Sequence, residues 1–154
     1  MSCNDFDFLL GHWRVHHRRL AVRLAGCADW VEFGGTSHAQ ALMAGRANVD
    51  DNLLELPGQP YRATTLRSFD PMTGTWAIWW LDSRAPHHLD PPVVGAFADG
   101  VGTFYADDVL EGRPIRVRFV WSDITPGSCR WEQAFSADGG ATWETNWIMT
   151  FTRA

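Results

Sequence analysis

Side chains in the last third of the chain alternate with a period of two, and this alternation constrains the fold more than any other feature. Val117, Phe119 and Trp121 share one parity, with Arg116 and Arg118 on the other. Trp131, Gln133 and Phe135 oppose Arg130 and Glu132. Trp143, Thr145, Trp147, Met149 and Phe151 oppose Glu144, Asn146, Thr150 and Thr152. A strand sends successive side chains to opposite faces, so each segment has one dry and one wet face. The dry face is the expected interior, with Phe119, Trp121, Trp131, Phe135, Trp147 and Phe151 pointing into it.

Turn residues recur at short intervals along the whole chain: Gly26, Gly34-Gly35, Pro57-Gly58, Asp70-Pro71, Gly74, Pro91-Pro92, Asp99-Gly100, Gly112, Pro126-Gly127 and Asp138-Gly139-Gly140. Between them the composition is strand-like, over residues 11–20, 29–39, 46–55, 61–69, 75–83, 93–98, 102–108, 113–122, 129–136 and 143–152. The stretch 39–44 also reads as a short helical turn. Short connections imply sequential antiparallel pairing. Nine or ten such strands remove their edges by closing, so the expected fold is an all-β antiparallel up-and-down barrel. The 154 residues suit one domain spanning 1–154. Nine Trp and nine Phe supply an aromatic interior.

One stretch suggests chemistry. Ser136-x-Asp138-x-Gly140-x-Thr142-Trp143 has the pattern of the Asp box of sialidase-type propellers. Every group in that pattern serves the turn itself. Side-chain oxygens accept turn N–H groups, glycines take positive φ, and the Trp packs beneath. A propeller carries the box once per blade. Here it occurs once, so it marks a hairpin and not a glycosidase site. Phe69-Asp70-Pro71-x-x-Gly74-x-Trp76 follows the same plan.

Three elements together, Phe8-Leu9-Leu10-Gly11-His12-Trp13, Phe69-Asp70-Pro71-x-Thr73-Gly74-x-Trp76 and the Asp-box hairpin, resemble a bacterial lipocalin-like domain-of-unknown-function family. The opening Leu-Gly-x-Trp is also similar to the first strand of fatty-acid-binding proteins, lipocalins and nitrobindins. The resemblance implies a lipocalin-like barrel with a central cavity and brings no settled activity. Nitrobindins hold haem through a histidine near the C-terminus; here no His follows His88, which argues against haem held in that way.

Charge and cysteine content narrow the partners. The net charge of −5 attracts neither nucleic acid nor an anionic membrane. All thirteen basic residues are Arg, so lysine chemistry is absent. Four of them, Arg14, Arg18, Arg19 and Arg23, crowd one segment, which reads as a solvated strand face, with an anion site as the alternative. Cys3, Cys27 and Cys129 are too few and too scattered for a disulfide framework or a zinc site. No run of about 18 apolar residues exists to span a membrane, and no leader-like segment opens the chain. A reducing cytoplasm is the expected compartment.

The candidate site residues follow from parity. Trp13, Val15 and His17 share a face, so His17 points inward if Trp13 does; a helical reading would instead align His12 and His16 as a metal pair. Tyr61, Thr65 and Arg67 share the face of Phe69, and Trp80 and Asp82 that of Trp76. Inward-facing Arg67 and Asp82 would form a natural ion pair, with Arg67 left partly available to anchor a ligand carboxylate. Gln133 lies between inward aromatics, and Trp121 and Trp147 complete the expected wall. Glu32 is expected on the outer face. The His87-His88 segment reads as a loop, over one barrel mouth if it has a role. No nucleophile, phosphate-loop or dinucleotide motif occurs, and no cofactor or metal is expected. The best reading is binding of a small, partly apolar ligand. An enzyme using His17, Asp82 and Arg67 for acid–base chemistry is the runner-up. A barrel filled by its own Trp residues, serving as a homodimerisation module, is the third.

Overall fold

The computed structural model describes residues 2–154. Ten strands form one closed antiparallel barrel: β1 Gly11–Leu20, β2 Trp30–Leu42, β3 Ala47–Leu54, β4 Tyr61–Asp70, β5 Thr75–Asp82, β6 Val93–Ala98, β7 Val101–Leu110, β8 Arg113–Ser122, β9 Ser128–Ser136 and β10 Glu144–Arg153. Each strand pairs with its sequence neighbours, and β1 closes the ring on β10 with Trp13 opposite Arg153 and Val15 opposite Phe151. Residues 39–42 continue β2, and the helical turn expected nearby is confined to Met43–Gly45. Among the described residues no helix is long and apolar enough to cross a membrane.

The expected inner aromatics do point inward. Trp121, Trp131, Phe135, Trp147 and Phe151 are buried, and Phe119 packs edge-on against Trp131 with ring centroids 4.9 Å apart. The alternation in β10 fails at one residue. Trp147 pairs with Gln133, but Thr145 pairs with Ala134 and Glu144 with Phe135, leaving Asn146 as an extra residue in a β-bulge. One inserted residue flips every face beyond it. Asn146 is therefore fully buried. Trp143, inward by the sequence pattern, lies on the outer surface beneath Arg118 and beside Tyr105. It is not the counterpart of Trp76, which is 1 % exposed inside the barrel.

The first turn of the chain closes one end of the barrel. Residues 5–10, including a 3-10 turn at Asp7–Leu9, place Phe6 and Leu9 inside. Phe6 meets Trp76 at 5.0 Å, Phe97 at 4.9 Å and Phe104 at 5.8 Å. Burying a ring of that size contributes about 1.5–3 kcal/mol. The plug is also fastened by hydrogen bonds: Trp13 Nε1 donates to the Leu9 carbonyl at 2.7 Å, Trp76 Nε1 to Asp5 Oδ2 at 3.2 Å, and Arg153 Nη2 to the Phe8 carbonyl at 3.0 Å. At Gly95 in β6 any side chain would drive its Cβ into the Thr103 carbonyl oxygen and to within 2.9 Å of Phe104 Cα, so only glycine lets β6 lie against β7 beside this cluster.

The Asp box forms the turn that the sequence pattern implies. Asp138 Oδ1 accepts from Thr142 N at 2.9 Å and from Ser136 Oγ at 2.7 Å, Ser136 Oγ accepts from Gly140 N at 2.9 Å, and Trp143 Nε1 donates to the Gly140 carbonyl. Gly139 and Gly140 take φ of 72° and 98°. The hydrogen bonds from Thr142, and then Ser136, hold the Asp138 carboxyl down at about 2, below its ordinary 3.8. A depressed carboxyl stabilises the fold above its unfolded value, and that contribution is lost as pH falls through the folded one. Asp138→Asn is therefore expected to lower the melting temperature at neutral pH and to flatten the loss of stability between pH 3.8 and about 2. Acid-unfolding curves identical to those of the parent protein would contradict the assignment.

Candidate functional site

Above the plug the barrel is hollow. A cavity of about 220 Å³ opens at the opposite end, where β1, β3, β5, β7 and β9 finish. The filled-barrel expectation is thus overturned: ten strands enclose more width than the inward side chains occupy. The upper walls are aromatic. Trp80 and Trp131 each meet Trp147 edge to face, at 5.8 and 5.2 Å.

Of the residues expected at the site, His17, Thr65, Arg67, Trp80, Asp82, Trp121, Gln133 and Trp147 all line this cavity. Tyr61 does not. It is buried beside the mouth, where its hydroxyl accepts from Arg19 Nη1 at 2.8 Å and its ring lies 3.6 Å beneath the Arg84 guanidinium.

Parity places Arg67 and Asp82 correctly on the inner side, but they are not partners. Arg67 donates through Nη2 to Asp50 Oδ2 at 2.7 Å and through Nη1 to Asn48 Oδ1 at 2.8 Å. Asp50 Oδ1 also accepts from Thr65 N at 2.8 Å and Asn52 Nδ2 at 2.6 Å. Both charges are buried, at 3 % and 5 % side-chain exposure, and charges removed from water persist only with this degree of compensation. Asp82 lies higher, at the rim, and holds Arg84 at 2.8 Å. Burial pushes the Asp82 carboxyl up, but the hydrogen bonds from Arg84 outweigh it and the net shift is downward. The reason for the mispairing is register. The β3–β4 ladder sets Asn48 opposite Arg67 and Asp50 opposite Thr65, whereas Asp82 pairs with Ala63, two residues further along the same face.

His17 is 2 % exposed, stacked on Phe33 at 4.6 Å. Trp147 Nε1 donates to its Nδ1 at 3.0 Å. An indole N–H can only donate, so the neutral imidazole carries its proton on Nε2. Burial, then the positive charge of Arg19, lowers the His17 pKa to about 3. Gln133 Nε2 donates to Asn146 Oδ1 at 2.8 Å, leaving Gln133 Oε1 as an acceptor on the cavity wall.

The segment Arg14–Arg23 is not the uniform solvated face that its charge content suggests. Arg14 is exposed on the outside, but Arg19 and Arg23 turn to the cavity mouth. Burial, followed by the charge of Arg19, lowers the Arg23 pKa to about 10. Asp90 and Pro91, from the loop after β5, complete the rim; the Asp90 carboxyl is raised by burial and by Asp108. The loop carrying His87 and His88 therefore does lie at the mouth, with His88 3.4 Å from Asp90. The helical metal reading of His12 and His16 fails because both sit on strand β1, facing out. His12 stacks on His38 and His16 bonds Glu32 at 2.9 Å, which confirms Glu32 on the outer face. Among the described residues no cluster of three or more metal-ligating side chains occurs.

The fold is a lipocalin-like barrel. Two solved structures share it. One is a fluorescence-activating barrel, EF1p2_mFAP2b bound to DFHBI, with a TM-score of 0.53, 12% identity and full coverage of both chains. The other is the S-type phycobiliprotein lyase CPES of Guillardia theta, with a TM-score of 0.65 and 12% identity over all of this chain and 93% of that one. No protein-family model matches the sequence, and no curated protein matches it significantly.

The buried groups make the site testable through stability. Asp50→Ala strands the Arg67 cation and is expected to cost about 3–5 kcal/mol in urea unfolding, while the double variant with Arg67→Met recovers part of that loss; equal losses in both would show the pair to be unimportant. His17 is expected to stay neutral and Nε2-protonated at pH 5 in nitrogen-15 NMR. The unfolded chain takes up that proton at 6.5, so its contribution to stability is complete above 6.5 and declines as pH falls toward about 3. A His17 resonance titrating between pH 6 and 7 would contradict this burial.

Proposed function

We propose that this protein binds a small, partly apolar molecule inside the barrel. The observation that carries the proposal is the cavity itself: sealed at one end by Phe6 and its neighbours, open at the other, and lined by aromatic walls with a few polar atoms. The His17 Nε2–H donor and the Gln133 Oε1 acceptor have no hydrogen-bond partner among the described residues. A few convergent polar groups on an apolar wall are what fix a ligand's orientation. The two barrels of like fold support the same reading, one being solved with DFHBI bound.

Binding fits the site better than acid–base turnover. His17 is held neutral, and its Nδ1 already accepts from Trp147. Arg67 is committed to Asp50 and Asp82 to Arg84. The three groups that an acid–base mechanism would use are thus each engaged elsewhere. A general base needs a pKa near the working pH and a free lone pair, and His17 has neither.

Native mass spectrometry of the purified protein is expected to show a co-purifying small molecule or, after extraction, uptake of small aromatic compounds with quenching of Trp fluorescence. Val117→Phe, which adds volume to the cavity wall, is expected to weaken that uptake at least about tenfold while keeping the β-sheet circular dichroism. Undiminished uptake in a folded Val117→Phe variant would place binding outside the barrel.

A further inference from the structure

Two of the four arginines that face the cavity have no carboxylate. Arg67 holds Asp50 and Arg84 holds Asp82. Arg19 gives one N–H to a neutral acceptor, the Tyr61 hydroxyl, and otherwise lies over rings: Trp147 at 4.9 Å and Phe33 at 5.5 Å. Arg23 lies 5.5 Å over Phe135 and its side chain makes no hydrogen bond among the described residues. The acidic groups of the rim act on the two only at longer range: against the lowering by burial, the charge of Asp90 raises the Arg23 pKa, and that of Arg19 lowers the Asp82 pKa. Asp90 faces His88 at 3.4 Å, Asp108 Oδ1 accepts from Val109 N at 2.7 Å, and neither comes within 4.0 Å of Arg19 or Arg23.

This arrangement is costly as it stands. Two like charges lie close enough for Arg19 to help lower the Arg23 pKa, and Arg23 is partly stripped of water. An anion placed between them would relieve both costs. The rings beneath the guanidinium groups hold their planes in place, and a planar guanidinium meets a carboxylate through two parallel N–H donors. Below them, Trp80, Trp131 and Trp147 stand edge to face around the cavity. Rings on a cavity wall offer stacking and edge contacts to an aromatic ligand.

We propose that Arg19 and Arg23 form the anion pole of the site and take the carboxylate of an aromatic acid, whose ring system lies in the cavity against the tryptophan wall. This deepens the ligand-binding reading and rests on it. The nearby Asp90 and Asp108 make the mouth suited to a single negative charge, because a dianion would meet their repulsion. Arg67, the anchor that the sequence suggested, already gives both terminal nitrogens to Asn48 and Asp50 and serves the floor of the cavity.

The test compares two probes of one shape, 2-naphthoate and the uncharged 2-naphthamide, binding to the full chain by titration calorimetry and Trp fluorescence. The acid is expected to bind at least about tenfold more tightly, the scale of a charge-assisted hydrogen bond. Arg23→Gln and Arg19→Gln are each expected to erase most of that preference by weakening the acid far more than the amide, and Arg14→Gln, on the outer face, to leave both probes as they were. Should Arg19→Gln lose its fold, as near-ultraviolet circular dichroism would reveal, Arg23→Gln alone decides, since its side chain holds nothing in place. Equal binding of acid and amide, or a preference that survives Arg23→Gln, overturns the anion pole and leaves the cavity reading standing. Binding of neither probe removes the cavity reading for flat aromatic ligands, and the anion pole with it.

Discussion

The ion pair of Arg67 with Asp50 divides the barrel into a packed half and a hollow half. Its members come from adjacent strands, β3 and β4, and both are almost wholly removed from water. Arg67 lies 5.3 Å over Phe6 and 5.6 Å over Trp121, so the rings of the plug form the lower surface of the charge. The upper surface is the cavity. Each part needs the other: without the plug, water reaches the pair and the rings lose their lid, and without the pair, a polar strand face has nothing to satisfy it. Buried ion pairs add little net stability compared with apolar packing, but they penalise every arrangement that separates them. Here that penalty fixes the height at which packing stops and open volume begins.

The strands are legible in the sequence because turn residues and period-2 alternation agree along most of the chain. β1, β6 and β8 run over the residues that composition alone assigns. Alternation also places the aromatic interior, since Arg and Glu on the opposite parity leave no choice of face. It fails where the backbone departs from regular pleating. Nothing in Glu144-Thr-Asn-Trp147 announces the bulge at Asn146, and a single extra residue there turns Trp143 outward. It fails again on β3, whose inward residues Asn48, Asp50 and Asn52 are polar. A strand with polar side chains facing in is read as though that face were wet. The signal that finds it is register. Pairing the 46–55 and 61–69 runs across their turn sets Asn48 against Arg67, and the buried guanidinium then has its acceptors at hand.

The basic segment shows a different limit. Arg18 and Arg19 are adjacent, so one of them must face inward, but charge content alone cannot tell which. Arg18 lies over Trp30 on the outside, and Arg19 over Trp147 and Phe33 within. Aromatic neighbours make both positions tolerable, because a guanidinium stacked on a ring gives up part of its hydration for the ring's negative face. The sequence distinguishes an arginine that covers a surface from one that waits at a mouth only once the barrel's rings are placed.

Stability and access are assigned to opposite ends of the same sheet. At the plugged end the opening segment is bound by the Trp13, Trp76 and Arg153 hydrogen bonds, and Phe6 packs against Trp76, Phe97 and Phe104. Toward the mouth the β5–β6 ladder is short. It pairs only Trp76 with Gly95, Ala77 with Val94 and Ile78 with Val93, so the end of β5, paired with β4 as far as Asp82, has on its other side a single bridge from Leu81 to Leu89 and the Asp90 amide donating to the Trp80 carbonyl. A ladder that ends early gives a segment less to lose on opening than one paired along its length. The loop that bridges this gap carries Asp90 and Pro91, both on the cavity rim. The least secured part of the barrel wall is therefore the part beside the opening, where movement would widen the entrance without disturbing the charge pair or the aromatic plug beneath it.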